Sequence, residues 1–339
     1  MSEQPVEDGK LTDQRELFSG PPPLHEPEKS DSAVIAFGGG KGGIGKTFLT
    51  ANLGICLARG GRKVVLVDAD LGGANMHTCF GIEHPKLSLS DFVYRRVDSI
   101  DQVIMETGIP GLGLVSGAQD FLGAVNIKYA QKLRILRQIG KIKSDLVLLD
   151  LGAGTSFNVL DFFVESDMGV VTMVPEPTSL ENGYRFIKTA FYRMLWHKER
   201  NQHIRKLIEA AMESRDGCDI RTPHELIRAV SRLDPDREKV YQQWLDSFRP
   251  LLVVNQARTE EDQHLGMGIR MACRKYFGID LGFIGAVPHD DAVWRAIRKR
   301  SPVLLNEPDS SVAKSLGHIA AELLRELGRD RGQGARVRP

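Results

Sequence analysis

Eight consecutive residues, Gly40-Lys41-Gly42-Gly43-Ile44-Gly45-Lys46-Thr47, have the types and spacing to hold a polyphosphate. They fit G-x-x-x-x-G-K-[ST], in which glycines let successive backbone N–H groups turn inward onto phosphate oxygens. Lys46 then reaches the β- and γ-phosphates, and the Thr47 hydroxyl is placed to ligate Mg²⁺. A glycine-rich turn with an incidental lysine is the bland alternative. Against it stands the context: the apolar run Ala33–Phe37 reads as a buried strand, and Thr47–Arg59, stopped by Gly60-Gly61, reads as a helix. The start of that helix adds the positive end of its dipole. Lys41 is a second cation in the same loop, and as a plain surface lysine it would be solvated.

Three carboxylates stand where such a loop needs them. Asp68 and Asp70 come directly after the apolar run Val64–Val67, and Asp150 after Leu146–Leu149. An acid at the carboxyl end of a buried parallel strand, beside a phosphate loop, lies where Mg²⁺ and an attacking water would sit. Asp150 is the candidate to hold Mg²⁺, through water. Any buried strand can end in aspartate, so its weight comes from the glycine loop upstream.

The elements that position these groups are set by the hydrophobic pattern. Short apolar runs at 33–37, 64–67, 112–115, 146–149, 169–174, 251–254 and 283–287 alternate with helical patterns. This predicts an α/β fold, a mostly parallel sheet with helices on both faces and right-handed crossovers. One stretch breaks the rhythm: about seventy-five residues separate the runs at 169–174 and 251–254, far more than a crossover requires. Leu180–Leu195 reads as the crossover helix. The rest, about 197–249 with breaks at Pro223 and Pro235, reads as a helical insertion, a subdomain or lid. Residues 1–31, with Pro21, Pro22, Pro23 and Pro27, read as a disordered tail. The domain is expected over 32–328, with a flexible tail at 329–339.

Lys and Arg number 45 against 44 Asp and Glu, so no global field points to nucleic acid or anionic lipid. Cys56, Cys79, Cys218 and Cys273 form no C-x-x-C pair and read as reduced thiols of a cytoplasmic protein, Cys56 among core residues. No run is long enough to span a membrane.

The form K-G-G-x-G-K-T at Lys41–Thr47 resembles the deviant Walker A loop of the MinD/ParA family of SIMIBI-class P-loop ATPases. The likeness covers about 33–195 and 250–327. It implies ATP and Mg²⁺ as cofactors, slow and partner-stimulated hydrolysis to ADP and phosphate, and an ATP-dependent homodimer. In that dimer Lys41 would reach the partner's nucleotide, placing a cation on the developing γ-phosphate charge. The resemblance makes Asp70 the residue that orients the attacking water, and gives Asp68 a supporting role at Mg²⁺ or the lysines. Leu71-Gly72-Gly73-Ala74-Asn75 and Gly152-Ala153-Gly154 resemble the two switches. Asn255 matches the position that hydrogen-bonds adenine. Val287-Pro288-His289-Asp290 resembles the loop closing on the base, although Asp290 also suits a helix N-cap before Ala292–Lys299.

Asp68–Asn75 and Leu149–Gly154 look like the FlhG/FleN-like branch, which implies a spatial or regulatory switch acting on flagellar number or placement, a division site, or cargo partition. It would be recruited to a pole, the nucleoid or the inner membrane surface and answer to an activating or cargo protein. Two features depart from that branch. Asp13-Gln14-Arg15-Glu16-Leu17 lacks the alanine of the family's D-Q-A-x-x-L element. Val312, Leu316, Ile319, Leu323 and Leu327 form the stripe of a core helix, and residues 328–339 lack the apolar side chains that a membrane anchor needs. Arg295, Arg298, Lys299 and Arg300, with Arg325, Arg329, Arg331, Arg336 and Arg338, would suit non-specific DNA as in ParA relatives, or are solvated surface. The alternative functions are an ATP-dependent metabolic ligase with substrate near 197–249, and an iron–sulfur carrier, for which the cysteines are poorly placed.

Overall fold

The computed structural model describes residues 32–70, 73–117, 129–213 and 220–332. The N-terminal tail with Asp13-Gln14, Leu71-Gly72 of the first switch-like segment, Cys218 and residues 333–339 lie outside the described residues.

Eight strands form one sheet in the order β3-β4-β2-β5-β1-β6-β7-β8. They are β1 (Ala33–Gly38), β2 (Val64–Ala69), β3 (Ile104–Glu106), β4 (Leu112–Val115), β5 (Leu146–Leu151), β6 (Met168–Met173), β7 (Leu251–Ala257) and β8 (Gly282–Pro288). All pairings are parallel except β3 with β4. Every expected run is a strand. The short edge strand β3 is not legible in the sequence, because Ile104-Met105-Glu106 offers too few residues for a period to show.

Successive residues of the central strands feed two cores. Val34, Ala36, Val147 and Leu149 face one layer, and Ile35, Phe37, Leu146 and Leu148 the other. On the second face lie α1 (Lys46–Arg59) and, near the C-terminus, α12 (Ser311–Gly332). The stripe of Val312, Leu316, Ile319, Leu323 and Leu327 is buried there, so this helix is core, and it continues past the expected boundary at 328. On the first face lie α2 (Leu89–Val93), α3 (Tyr129–Gly140), α4 (Phe157–Glu165), α5 (Pro177–Lys198) and the helices of the insertion.

The insertion comprises α6 (Gln202–Glu213), α7 (Pro223–Leu233) and α8 (Arg237–Ser247). Pro223 opens α7, where its missing N–H costs nothing, and Thr222 and Glu225 close a capping box. These helices have no core of their own. Ile204, Ile208, Leu226, Val230, Tyr241 and Leu245 join the same apolar cluster as α5. Glu199, fully buried, accepts from Tyr241 Oη at 2.7 Å and Arg237 Nη1 at 3.1 Å, and Phe248 packs on Phe191. The insertion expected at 197–249, as a subdomain or lid, is helical and packs as a buttress on the far half of α5.

A buried ionic cluster ties α3, α4 and α5 together. Asp161 of α4 accepts from Lys132 Nζ at 2.7 Å, Arg193 Nε at 2.5 Å and His197 Nε2 at 2.9 Å. Burial alone would raise its pKa, but the bonds from His197 and Arg193 hold the carboxyl well below the usual range. A depressed folded pKa adds stability above the unfolded value, and that contribution is lost as pH falls through the folded one. Removing one partner of a buried cluster leaves uncompensated charge. Asp161→Asn is therefore expected to lower unfolding free energy by ~3–5 kcal/mol near neutral pH, read as a drop in urea midpoint. It should also flatten the acid limb of stability against pH. A loss below ~1 kcal/mol would show that the cluster is energetically neutral.

Candidate functional site

The phosphate loop joins β1 to α1 at the middle of the sheet. β1 lies between β5 and β6, while the chain leaves α1 for β2 beyond β5. This is a topological switch point, where a crevice opens at the carboxyl ends of the strands. Gly43 and Gly45 have φ of 75° and 85°, in the left-handed region. Gly45 is the N-cap of α1 and supplies no side-chain cap, so the first-turn N–H groups of the helix face the loop.

The loop is wedged in place. Asn255 Nδ2 donates to Ile44 O at 2.8 Å, and a Cβ on Gly45 would lie 2.3 Å from that nitrogen. A Cβ on Gly40 would lie 2.1 Å from the carbonyl oxygen of Asn182 in α5. Gly154 N donates to Gly39 O at 3.1 Å, which fastens the second switch-like segment to the loop.

The carboxylates converge on Lys46. Asp68 and Asp150 are direct partners across the parallel β2–β5 ladder, and both are buried, as is Lys46. Burial lowers the Lys46 pKa, while Asp150 and Asp70 oppose that shift. Burial pushes Asp68 up to about 6. Burial and the neighbouring Asp68 push Asp150 up to about 8, against a hydrogen bond from Thr47. The two acids differ in what they hold. Asp68 accepts from the backbone N–H of Asp70 at 3.1 Å and of Met76 at 2.9 Å, so it fixes the segment after β2. Asp150 Oδ1 is buried with no hydrogen-bond donor. An orphaned carboxylate oxygen beside the Thr47 hydroxyl fits Mg²⁺, which is held by one or two carboxylates together with substrate phosphates.

Asp70 lies between the switch-like segments. A Cβ on Gly152 would meet its Oδ1 at 3.1 Å, and one on Gly73 its Oδ2 at 3.4 Å. Lys41 turns onto its own chain: Nζ is 3.1 Å from Glu176 Oε2 and 3.4 Å from Thr178 Oγ1, at the start of α5. Sequence reasoning does not single out Glu176. Its signal is an acid just after the apolar run of β6 and before Pro177, the same placement as Asp68 and Asp150.

Beside the loop is a cavity of about 720 Å³ whose walls include Gly45, Phe48, Asn255, Pro288 and Asp290. Asp290 does cap α10 (Asp291–Arg298), accepting from Ala292 N at 2.8 Å, and also accepts from Ser311 Oγ at 3.0 Å. It lines the cavity with its carboxylate already engaged. Four residues of the basic clusters are paired within the chain: Arg295 with Glu307, Arg300 with Glu83, Arg325 with Glu322 and Arg329 with Glu326.

Residues 35–303 match the model of the CobQ/CobB/MinD/ParA nucleotide binding domain. The chain belongs to this family. It is similar to the antiactivator FleN of Pseudomonas aeruginosa, 26% identical over 293 residues, 86% of this chain and 85% of FleN. Among solved structures, the septum site-determining protein MinD of Pyrococcus horikoshii complexed with Mg-ADP superposes with a TM-score of 0.60 at 19% identity, covering 88% of this chain and 98% of that one. The Aquifex aeolicus MinC:MinD cell division complex matches with a TM-score of 0.57, also at 19% identity, covering 86% and 96%. The sheet with its central phosphate loop is thus that of the family, and among the described residues no helix is long and apolar enough to cross a membrane.

Gly40→Ala should force the loop from α5 at a cost of ~1–3 kcal/mol, the usual range for overpacking. The variant should lose nucleotide binding by calorimetry while still unfolding cooperatively. Wild-type affinity in this variant would mean that the loop is not held against Asn182.

Proposed function

We propose that this chain is a Mg·ATP-dependent switch ATPase that dimerises with ATP bound and acts as a spatial or regulatory device, in the manner of division-site or flagellar regulators. The observation that carries the reading is the convergence of Lys46, Asp70, Asp150 and both switch-like segments on one phosphate loop, with Lys41 beside it on an exposed edge. The similarity to FleN along most of the chain favours flagellar regulation over the other settings. A cytoplasmic location and an activating or cargo protein are part of this proposal.

In this reading the first-turn N–H groups of α1 and the loop amides hold the triphosphate, and Lys46 spans its β- and γ-groups. Thr47 and Asp150 hold Mg²⁺, which when bound neutralises phosphate charge. Asp68 acts through the backbone, setting where the segment after β2 lies. Asp70 orients the attacking water. Asn255 gives its amide N–H to Ile44, which leaves Oδ1 to accept from the 6-amino group of adenine and to oppose the 6-oxo group of guanine. Pro288 and Asp290 border the base.

Lys41 is the link to dimerisation. Its pair with Glu176 holds it within its own chain, so reaching a partner's γ-phosphate requires that pair to open. Both side chains are substantially exposed, 41% and 57%, and such pairs contribute at most ~1 kcal/mol. The latch is therefore weak enough for nucleotide to release. Glu176→Gln should leave the melting temperature essentially unchanged and tighten the ATP-dependent dimer several-fold in sedimentation equilibrium. An unaltered dimer constant would remove the latch.

One observation weighs against the ligase alternative. Lys188 of α5, which interacts with Glu225 of the insertion, lies about 18 Å along the helix from Glu176 at the loop. A substrate seated there would be remote from the phosphates.

The deciding experiment is sedimentation of Asp70→Ala with Mg·ATP and with Mg·ADP. Removal of the water-orienting carboxylate should lower turnover at least ~100-fold and trap the ATP state. A dimer with ATP, a monomer with ADP, and loss of the dimer in Lys41→Ala are expected. A monomer in both nucleotides, with ATP demonstrably bound, would falsify the switch.

A further inference from the structure

The wall of the nucleotide cavity formed by α10 carries a tryptophan. Trp294 lines the same cavity as Asn255, Gly45 and Pro288, and is 58% exposed. Large aromatic surface left in water is an informative exception, since burying it would be favourable. The ring is also held. The Arg298 guanidinium lies over it, 4.7 Å from the ring centroid. Arg298 does not itself line the cavity. The ring is positioned one turn into a helix whose start is fixed by the Asp290 cap and by Ala292 and Ala296, both buried.

We propose that Trp294 is a stacking platform for the nucleobase, a specificity-determining residue of the site that sequence motifs do not reveal. This rests on the ATP-binding reading above and extends it to how the base is held. Asn255 can read one edge of a purine but gives its ring no face to lie on, and Phe48, Pro288, Val293 and Ile297 are the other apolar walls. An indole held by a cation and lining the cavity offers a flat surface to any base. Stacking on aromatic side chains is tolerant of base identity. Trp294 would therefore set affinity for the base as such, while Asn255 sets adenine over guanine.

The test uses the full chain. Trp196 and Trp244, the other two of its three tryptophans, are packed against the core of α5–α8, so Trp294 is the fluorophore that a ligand in the cavity can reach. Mg·ATP and Mg·ADP should quench tryptophan emission, and Mg·triphosphate, which lacks a base, should not. Trp294→Ala should abolish the quench and raise the Kd for ATP about tenfold, with the Kd for triphosphate unchanged. Trp294→Phe should recover most of the ATP affinity. Because the side chain is exposed, the alanine variant is expected to melt with the native protein. A Kd for ATP within about twofold of wild type in Trp294→Ala overturns the inference and returns Trp294 to the surface available for protein partners. Equal weakening of ATP and triphosphate overturns it too, since the loss then lies in the loop. Both outcomes leave the ATPase reading intact. That reading fails separately if the wild-type chain binds neither ATP nor triphosphate.

Discussion

The site is organised around two acids that cannot avoid each other. Parallel register sets Asp68 opposite Asp150 on adjacent strands, both buried. In low dielectric two such carboxylates resist simultaneous ionisation unless cations or N–H donors face them. The chain meets the requirement asymmetrically. Backbone N–H groups from the segment after β2 satisfy Asp68, so that segment's position is fixed by an electrostatic need of the strand end. Asp150 has Thr47 and Lys46 near it but keeps one oxygen without a donor. That oxygen is the one the proposed Mg²⁺ would complete.

The site is also tied to the helices on one face of the sheet. The segment Gly152-Ala153-Gly154 leads into α4, whose Ser156 accepts from Val159 N to cap it. Further along that helix Asp161 is locked to α3 and α5 by three charged or ring N–H donors. α5 in turn begins at Glu176, the partner of Lys41. Contiguous contacts thus run from the second switch-like segment through a buried ionic cluster to α5, at whose start Glu176 pairs with the lysine of the loop. Buried ionic clusters are weak evidence for stability alone but suit the fixing of one arrangement of helices. The insertion extends these contacts by packing against the same helix through Glu199, Arg237 and Tyr241.

Much of this is legible in the residues, for identifiable reasons. The loop is read from glycine spacing because its backbone conformation leaves few alternatives, as the positive φ of Gly43 and Gly45 bears out. Central strands are read because burial on both faces leaves them uninterrupted by polar residues. The docking of α6–α8 is not legible. Arg193, Glu199 and Arg205 look like a solvated helical surface, yet all three are buried and paired through tertiary contacts that no local pattern encodes. Glu176 escapes sequence reasoning for a related reason, since its partner Lys41 lies 135 residues earlier. Asp290 is readable two ways, and its carboxylate does serve as a cap at the edge of the cavity.

The placement of the extra helices bears on how a general scaffold becomes a particular regulator. The proposed switch needs its carboxyl-end crevice free for a second copy and for the base, so additions there would interfere with its cycle. Additions at the amino ends of the strands do not. α6–α8 connect the end of α5 to the start of β7 and pack on the half of α5 remote from Glu176, with a cation–π contact of Arg205 to Trp196. They enlarge the surface available to other proteins without touching the residues that hold phosphate. They share the apolar core of α5, so the added surface is joined by packing to the helix that begins beside Lys41.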